Sequence, residues 1–521
     1  MTDVAQLKDD HVDYGSLRVD PGASYLLALD HGTTSSRAIL FDHDRQVVAL
    51  AQKEGALSYP APGWVEQDAM GVWLDTMAVM AQVMNESGID PAAICAIGIS
   101  NQRETCLLWD RKTGLPVGPA IVWQSRQTAD ICDRWKAQGL EPLVRQRTGL
   151  RIDPYFSASK IVWMLENLPG VRERAQAGEL LFGTMGTWLV WKLTGGCVHA
   201  TDPSNASRTL LCNIETATWD SELLEAFGIP EKILPDILPT SAVRGTTAQW
   251  AFFGAEVPIG SCVGDQQAAL FGQLCLEPGM TKNTYGTGGF LLMNTGDTIV
   301  RSEQGLLSTI AWQIGDTVTY ALEGSIFVSG ALMKWLRDGL HLFDDVKDSC
   351  AIAQEAGSSG GVYVVPAFTG LATPYWDARA TASIEGITFS TGSGHIVRAA
   401  LEAMAYQVKD VLEVMERESR IKIGTLKVDG GAAANDFLLQ FQSDLCGSAV
   451  ERFCVHELTA LGAAFLAGLA VGFWDWGDLS IQVDRRFEPQ RPPQVMAQAY
   501  AGWRCAVEAC RAFKPSGVTV A

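Results

Sequence analysis

Three short glycine-rich strings constrain this chain more than any other feature. They are ALDHGTTSSRA at residues 28–38, CVGDQQ at 262–267 and KVDGGAAAN at 427–435. Each follows an apolar, strand-like run and turns abruptly into small hydroxyl or amide residues. Asp30 ends the run YLLAL, and Gly32, Thr33, Thr34, Ser35, Ser36 and Arg37 follow. Glycine permits a tight turn in which successive N–H groups and hydroxyls converge on an anion. A carboxylate just before such a nest repels phosphate directly but holds Mg²⁺ well. Any one of these strings alone would read as an ordinary turn. Three of them, widely spaced at strand ends, predict a fold that cradles a metal–nucleotide phosphate tail.

The chain has 521 residues, too many for one hydrophobic core, so two large domains are expected. Its 40 basic and 59 acidic residues leave a formal charge of −19, which disfavours nucleic acid and anionic membrane surfaces as partners. Phosphate ligands need only a local positive potential and stay open. The 12 cysteines include no CxxC and no pairing with histidine at zinc-finger spacing, so reduced thiols are expected. Residues 1–22 are polar and lack the apolar centre of a signal peptide, and are expected to be a loose arm. The run 460–474 (ALGAAFLAGLAVGFW) is short for a membrane span and rich in Gly and Ala. It predicts a tightly packed buried helix, and the chain as a whole is expected to be soluble, cytoplasmic and without membrane insertion.

Strands are predicted for SYLLALD, RAILFD and VVALAQKE, then a helix over 68–87 capped by Asp68, then strands AICAIGISN and TCLLWD. The order recurs later. MTKNTYGTGGFLLMNTG reads as a glycine-interrupted strand pair, with further strands at 310–313 and 318–322 and a helix over about 329–340. GVYVVPAF, a helix near 395–418, LKVDGG and a helix from about Asn435 continue the alternation. The pattern predicts two related α/β halves that meet near residues 270–282 with a cleft between them.

Two longer strings identify a family. YFSASKIVWMLEN (155–167), and ASIEGI (382–387) with HIVRAALE (395–402), resemble the two signatures of the FGGY carbohydrate kinases. NQRET, IVWQSR, LLFGTMGTWLVWKLTGG, NASRTLL, GDQQAALFGQL, NTYGTGGF and FQSDLCG extend the resemblance over roughly residues 24–510. It implies two actin-like (ribonuclease H-like) ATPase domains with a catalytic cleft between them. The expected division is an arm at 1–22, an N-terminal domain at 23–272 with the polyol and phosphate sites, a C-terminal nucleotide-side domain at 273–510, and a tail at 511–521. The implied activity is phosphorylation of glycerol by ATP to sn-glycerol 3-phosphate, and a homo-oligomer of two or four chains is implied.

Phosphoryl transfer needs alignment, charge neutralisation and an acceptor for the hydroxyl proton. Asp265, at the end of a buried run, is the natural base. Arg103 and Glu104 follow another buried run and offer donor and acceptor side by side. By resemblance, Arg103, Glu104, Tyr155, Asp265 and Gln266 contact the polyol hydroxyls, and Trp123 and Phe290 pack on its carbon edge. Thr33, Thr34, Ser35, Arg37 and Thr287 are assigned to the ATP phosphates, Gly330 and Lys334 to the nucleotide side, and Gly431 and Asn435 to the adenosine. Asp30 and Asp265 are assigned to Mg²⁺.

Four departures stand out. His31 replaces the Gln usual in this kind of sequence and is either inert or a pH-sensitive charge beside phosphate. Lys334 stands where Gln is common, and Ala372-Thr373 replace Gly-Ala. Segment 249–256 (QWAFFGAE) lacks the loop that binds fructose 1,6-bisphosphate in some family members, so that regulation is not expected. A different sugar as acceptor, and a nucleotide-switch protein of the actin-like superfamily, are the competing readings.

Overall fold

The computed structural model describes residues 24–377, 379–455 and 457–513; the expected arm at 1–22 lies outside them, as does all of the expected tail beyond residue 513. The first half opens with β1 (Tyr25–His31), β2 (Ser35–Phe41) and β3 (Val47–Glu54), an antiparallel meander. Helix α1 (Ala69–Ser87) follows, and the Asp68 side chain accepts from Met70 N as predicted. Strands β4 (Ile94–Asn101) and β5 (Ile259–Gly264) then add parallel to β1, giving the order β5-β4-β1-β2-β3. Helix α2 (Asp265–Gly272) starts directly off β5.

The second half contains β6 (Thr281–Tyr285), β7 (Gly289–Gly296), β8 (Leu307–Ile314) and β9 (Thr317–Ile326), then α3 (Gly330–Asp338) and α4 (Ser393–Ser419). It continues with β10 (Thr425–Asp429), α5 (Asp436–Cys446), β11 (Ala449–Phe453), α6 (Leu458–Val471) and β12 (Val483–Phe487). The sheet order is β8-β9-β7-β6-β10-β11-β12. Both sheets thus share a core of three antiparallel strands extended by two parallel ones, since β9-β7-β6 continue into β10 and β11 as β3-β2-β1 continue into β4 and β5. The second sheet differs in that β8 is threaded to the outer edge beyond β9.

Two predicted strands lie outside these sheets. Cys106–Asp110 joins a separate four-stranded sheet with Leu180–Thr184, and Tyr363–Val365 pairs only with Ser383–Glu385. The Gly/Ala run is a buried helix, α6, but it packs on β4, β5, β1 and α2 of the first half. Its small residues are what permit this. A Cβ on Gly98 would stand 2.3 Å from the Ala463 carbonyl oxygen, and one on Gly462 would stand 1.9 Å from that of Ala268. Among the described residues, no helix is long and apolar enough to cross a membrane.

Candidate active site

The ends of β4 and β5 meet one face of the second sheet, where Arg103 pairs with Glu323 and Gln266 with Lys282. Sheet register decides which residues share that face. Lys282 pairs with Leu292, which pairs with Glu323, while Thr284 pairs with Phe290 and Asp429, and Phe290 with Ser325. Cross-strand partners project to the same side. Lys282, Thr284, Phe290, Glu323 and Asp429 therefore face the first half together.

Asp265 is the first residue of α2, so its carboxylate meets the partial positive charge of a helix N-terminus. Its Oδ1 accepts from Gln266 N at 2.7 Å and lies 3.4 Å from Arg103 Nε. Burial in the cleft raises its pKa above the ordinary carboxylate value, while Arg103 and Lys282 pull it back. Gly264 makes this approach possible, because a Cβ there would stand 2.8 Å from Arg103 Cγ. The Gln266 amide oxygen accepts from Lys282 Nζ, which also donates to Thr284 Oγ1 at 2.8 Å. Burial lowers the pKa of Lys282, and Asp429 and Asp265 oppose that shift.

Arg103 and Glu104 are both buried. Glu104 has a left-handed backbone (φ 55°), and its carbonyl accepts from Ser157 Oγ at 3.0 Å. Arg103 Nη1 donates to Glu323, and Arg103 Nη2 stands 3.5 Å from the Tyr155 hydroxyl. Tyr155 belongs to a loop fastened by the first family signature. Buried Lys160 donates to the carbonyls of Pro154, Tyr155 and Phe156 at 2.7, 2.6 and 3.1 Å. The Trp123 ring meets that of Tyr155 edge to face at 5.6 Å, and Trp123 Nε1 donates to Thr33 Oγ1 at 2.8 Å. This one indole therefore links the expected polyol wall to the expected phosphate turn.

In that turn Gly32 N donates to Ser35 O at 2.9 Å, and Thr34 is exposed at the tip. Arg37 reaches Glu457 at 2.8 Å and stands 3.9 Å from Asp30. Burial pushes Asp30 up to about 6, with Arg37 opposing and Asp265 adding to the rise. Burial drives His31 down to about 4, so it is neutral near pH 7 and is not the pH-sensitive charge that one reading of the sequence allowed. Its ring bridges Ser36 Oγ at 3.0 Å and Gln102 Nε2 at 3.2 Å.

On the expected nucleotide side the 286–288 turn is tied to the start of α3. Ser329 N donates to Thr287 O and Gly330 N to Gly286 O, both at 2.9 Å. The Asn435 side chain caps α5 and donates to Ser349 Oγ at 3.1 Å, just beyond Gly431. Lys334 is exposed on α3 and is not drawn into the other predicted contacts. The structure thus gathers Arg103, Glu104, Trp123, Tyr155, Asp265 and Gln266 by direct contact and sets Phe290 on the facing sheet.

Sequence reasoning missed Arg208, Lys282 and Glu323. Burial opposes ionisation of Glu323, but two adjacent guanidiniums outweigh it and hold the carboxyl down at about 2. Each missed residue is a charge inside an otherwise apolar or small-residue string (NASRTLL, MTKNTYG, YALEGSI), and that incongruity was the available signal. Among the described residues, no group of three or more His, Cys, Asp or Glu side chains is placed to hold a metal ion.

The N-terminal domain model of the FGGY family of carbohydrate kinases matches residues 25–272, and the C-terminal domain model matches 281–471. A glycerol kinase from Geobacillus sp. (strain WCH70) is 56% identical over 493 residues, covering 94% of this chain and 99% of the relative. The crystal structure of Plasmodium falciparum glycerol kinase with ADP superposes with a TM-score of 0.89 at 34% identity, covering 94% of this chain and 98% of that one. A xylulose kinase structure from Lactobacillus acidophilus shares the fold at 22% identity and a TM-score of 0.83, covering 94% and 98% of the two chains.

Proposed function

We infer the activity from the fact that this chain belongs to the FGGY family of carbohydrate kinases: it transfers the γ-phosphoryl group of ATP to glycerol, giving sn-glycerol 3-phosphate and ADP. The observation that carries this reading is the 56% identity to a glycerol kinase across nearly the whole chain, with the polar cluster around Asp265 facing the second sheet.

Glycerol has six heavy atoms. With a ceiling of about 1.5 kcal/mol per atom, its binding cannot exceed roughly 9 kcal/mol, so selectivity depends on a few well-paired hydroxyl contacts. Arg103 donates, Glu104 accepts, and Tyr155 and Gln266 complete the set, with Trp123 and Phe290 against the carbon edge. Asp265 takes the proton of the attacking hydroxyl. That oxygen bonds to the γ-phosphorus as the bond to the β-phosphate bridging oxygen breaks, and ADP leaves. The raised pKa of Asp265 suits this task, since a more basic carboxylate accepts a proton with better driving force. Lys282 brings positive charge to the second-sheet side, opposite Asp265 and on the same face as Asp429.

Asp30 and Asp265 are oxygen-only donors, and the Asp265 charge adds to the rise of the Asp30 pKa, an arrangement that fits a hard divalent cation such as Mg²⁺. When bound there it would neutralise charge on the nucleotide phosphates. Thr33, Thr34, Ser35, Arg37 and Thr287 form the phosphate cradle, with Gly330, Lys334, Gly431 and Asn435 beyond it.

Incubation with Mg-ATP and glycerol, followed by ³¹P NMR and oxidation with an enantiospecific glycerol-phosphate dehydrogenase, tests the reading. sn-Glycerol 3-phosphate in step with ADP is expected. ADP release at the same rate without glycerol would contradict it.

A further inference from the structure

Arg103, Glu104, Arg208 and Glu323 close into an alternating ring of charge. One Glu323 oxygen takes Arg103 Nη1, and the other takes Arg208 Nη2 at 3.0 Å. Arg208 Nε donates to Glu104 Oε1 at 2.7 Å, and Arg103 Nε stands 3.9 Å from the same oxygen. The side chains of Arg103 and Glu104 are each 2% exposed, and those of Arg208 and Glu323 0%. The Arg208 guanidinium also lies over the Tyr155 and Phe156 rings, at 5.6 and 5.3 Å. Its Nη1 is buried without a hydrogen-bond partner.

Only Arg103 and Glu104 are assigned to the acceptor. Burying two more charges is a poor way to gain stability, because apolar residues of the same volume do as well or better. A positional role accounts for the cost. The ring also spans the cleft, with Arg103 and Glu104 following β4 in the first half and Glu323 lying within β9 of the second sheet. Without Glu323, the acids left near Arg103 are Asp265, at 3.4 Å, and Glu104, at 3.9 Å. The guanidinium would then turn toward those two groups and away from a hydroxyl.

We propose that Glu323 and Arg208 are positioning residues for the acceptor site, fixing Arg103 and Glu104 from across the cleft so that hydroxyl recognition depends on the second sheet. This rests on the reading that glycerol is the acceptor bound by Arg103 and Glu104. Glu323 and Arg208 act through those residues and touch no reacting atom.

The test is steady-state kinetics of full-length wild type, Glu323→Gln and Arg208→Lys with glycerol and with propane-1,2-diol, at saturating Mg-ATP and then with ATP varied. For Glu323→Gln, KM for glycerol should rise at least tenfold while KM for ATP stays within twofold. The glycerol-to-propanediol ratio of kcat/KM should fall at least fivefold, because the contacts that recognise the extra hydroxyl are misplaced. A merely structural role would lower the active fraction and leave that ratio unmoved. Circular dichroism and ADP binding report whether each variant is folded. If Glu323→Gln does not fold, Arg208→Lys, which keeps the buried charge, decides with the same pattern at reduced size. Unchanged glycerol KM and ratio in a folded variant, or equal rises in both KM values, would overturn the proposal. A wild type that does not phosphorylate glycerol would overturn the functional reading itself, and is seen before any variant is compared.

Discussion

On the proposed acceptor side of the cleft, Arg103, Glu104, Arg208 and Glu323 are sealed from solvent, and each touches another charge in the ring. On the proposed nucleotide side, Thr34, Gly286, Thr287 and Lys334 are exposed around turns closed by backbone hydrogen bonds. The contrast matches the ligands proposed for each wall. A six-atom polyol offers little area, so each donor and acceptor must be fixed before it arrives. A nucleotide offers phosphates that backbone N–H groups and small hydroxyls can surround, and these need open turns more than interlocked side chains. One wall is specified by long-range pairing, the other by local chain geometry.

The sharpest test of that division is Asp265→Asn, which stands where the two walls meet. Turnover should fall by about two to four orders of magnitude, the usual worth of a positioned base, with glycerol and Mg-ATP binding largely kept. Single-turnover phosphoryl transfer in folded protein checks it, and near wild-type turnover would remove Asp265 from the role.

Arg103→Ala should act on the acceptor wall alone. Losing a hydrogen bond from a charged donor costs about 1.5–3 kcal/mol, so kcat/KM for glycerol should drop by roughly one to two orders of magnitude. KM for ATP should barely move. Equal loss for both substrates would break the comparison and give Arg103 a folding role.

Gly288→Ala probes the other wall. A Cβ there would stand 2.4 Å from the Ile326 carbonyl oxygen, so the turn must shift. Overpacking of this kind costs about 1–3 kcal/mol. KM for ATP should rise about tenfold, with KM for glycerol within twofold. The smallest effects belong to the two departures. His31 is held neutral, so His31→Gln should change KM for ATP by less than about twofold at pH 7–8. Lys334→Gln should alter the ATP/GTP ratio of kcat/KM slightly if the ammonium reaches the base, and leave glycerol parameters unchanged.

The same division explains what could be read from the sequence. Local rules carried the glycine turns at strand ends, the Asp68 cap, and the close packing of the 460–474 run. Arg103 and Glu104 were legible because an ion pair directly after a buried strand is out of place on a solvated face. Glu323 and Arg208 were not, since their partners lie 220 and 104 residues away and no periodicity links them. For the same reason nothing local revealed that α6 returns to the first sheet, or that Cys106–Asp110 leaves it for another. His31 was ambiguous because the burial that lowers its pKa is a tertiary property.

Acceptor selectivity of the wild-type enzyme tests the account most directly. ADP release should be measured with glycerol, with D-xylulose and with no acceptor, at equal Mg-ATP. A wall of interlocked charges built for a six-atom polyol predicts rapid release with glycerol and release near background in the other two. Comparable rates with D-xylulose, or a rate independent of acceptor, would contradict it.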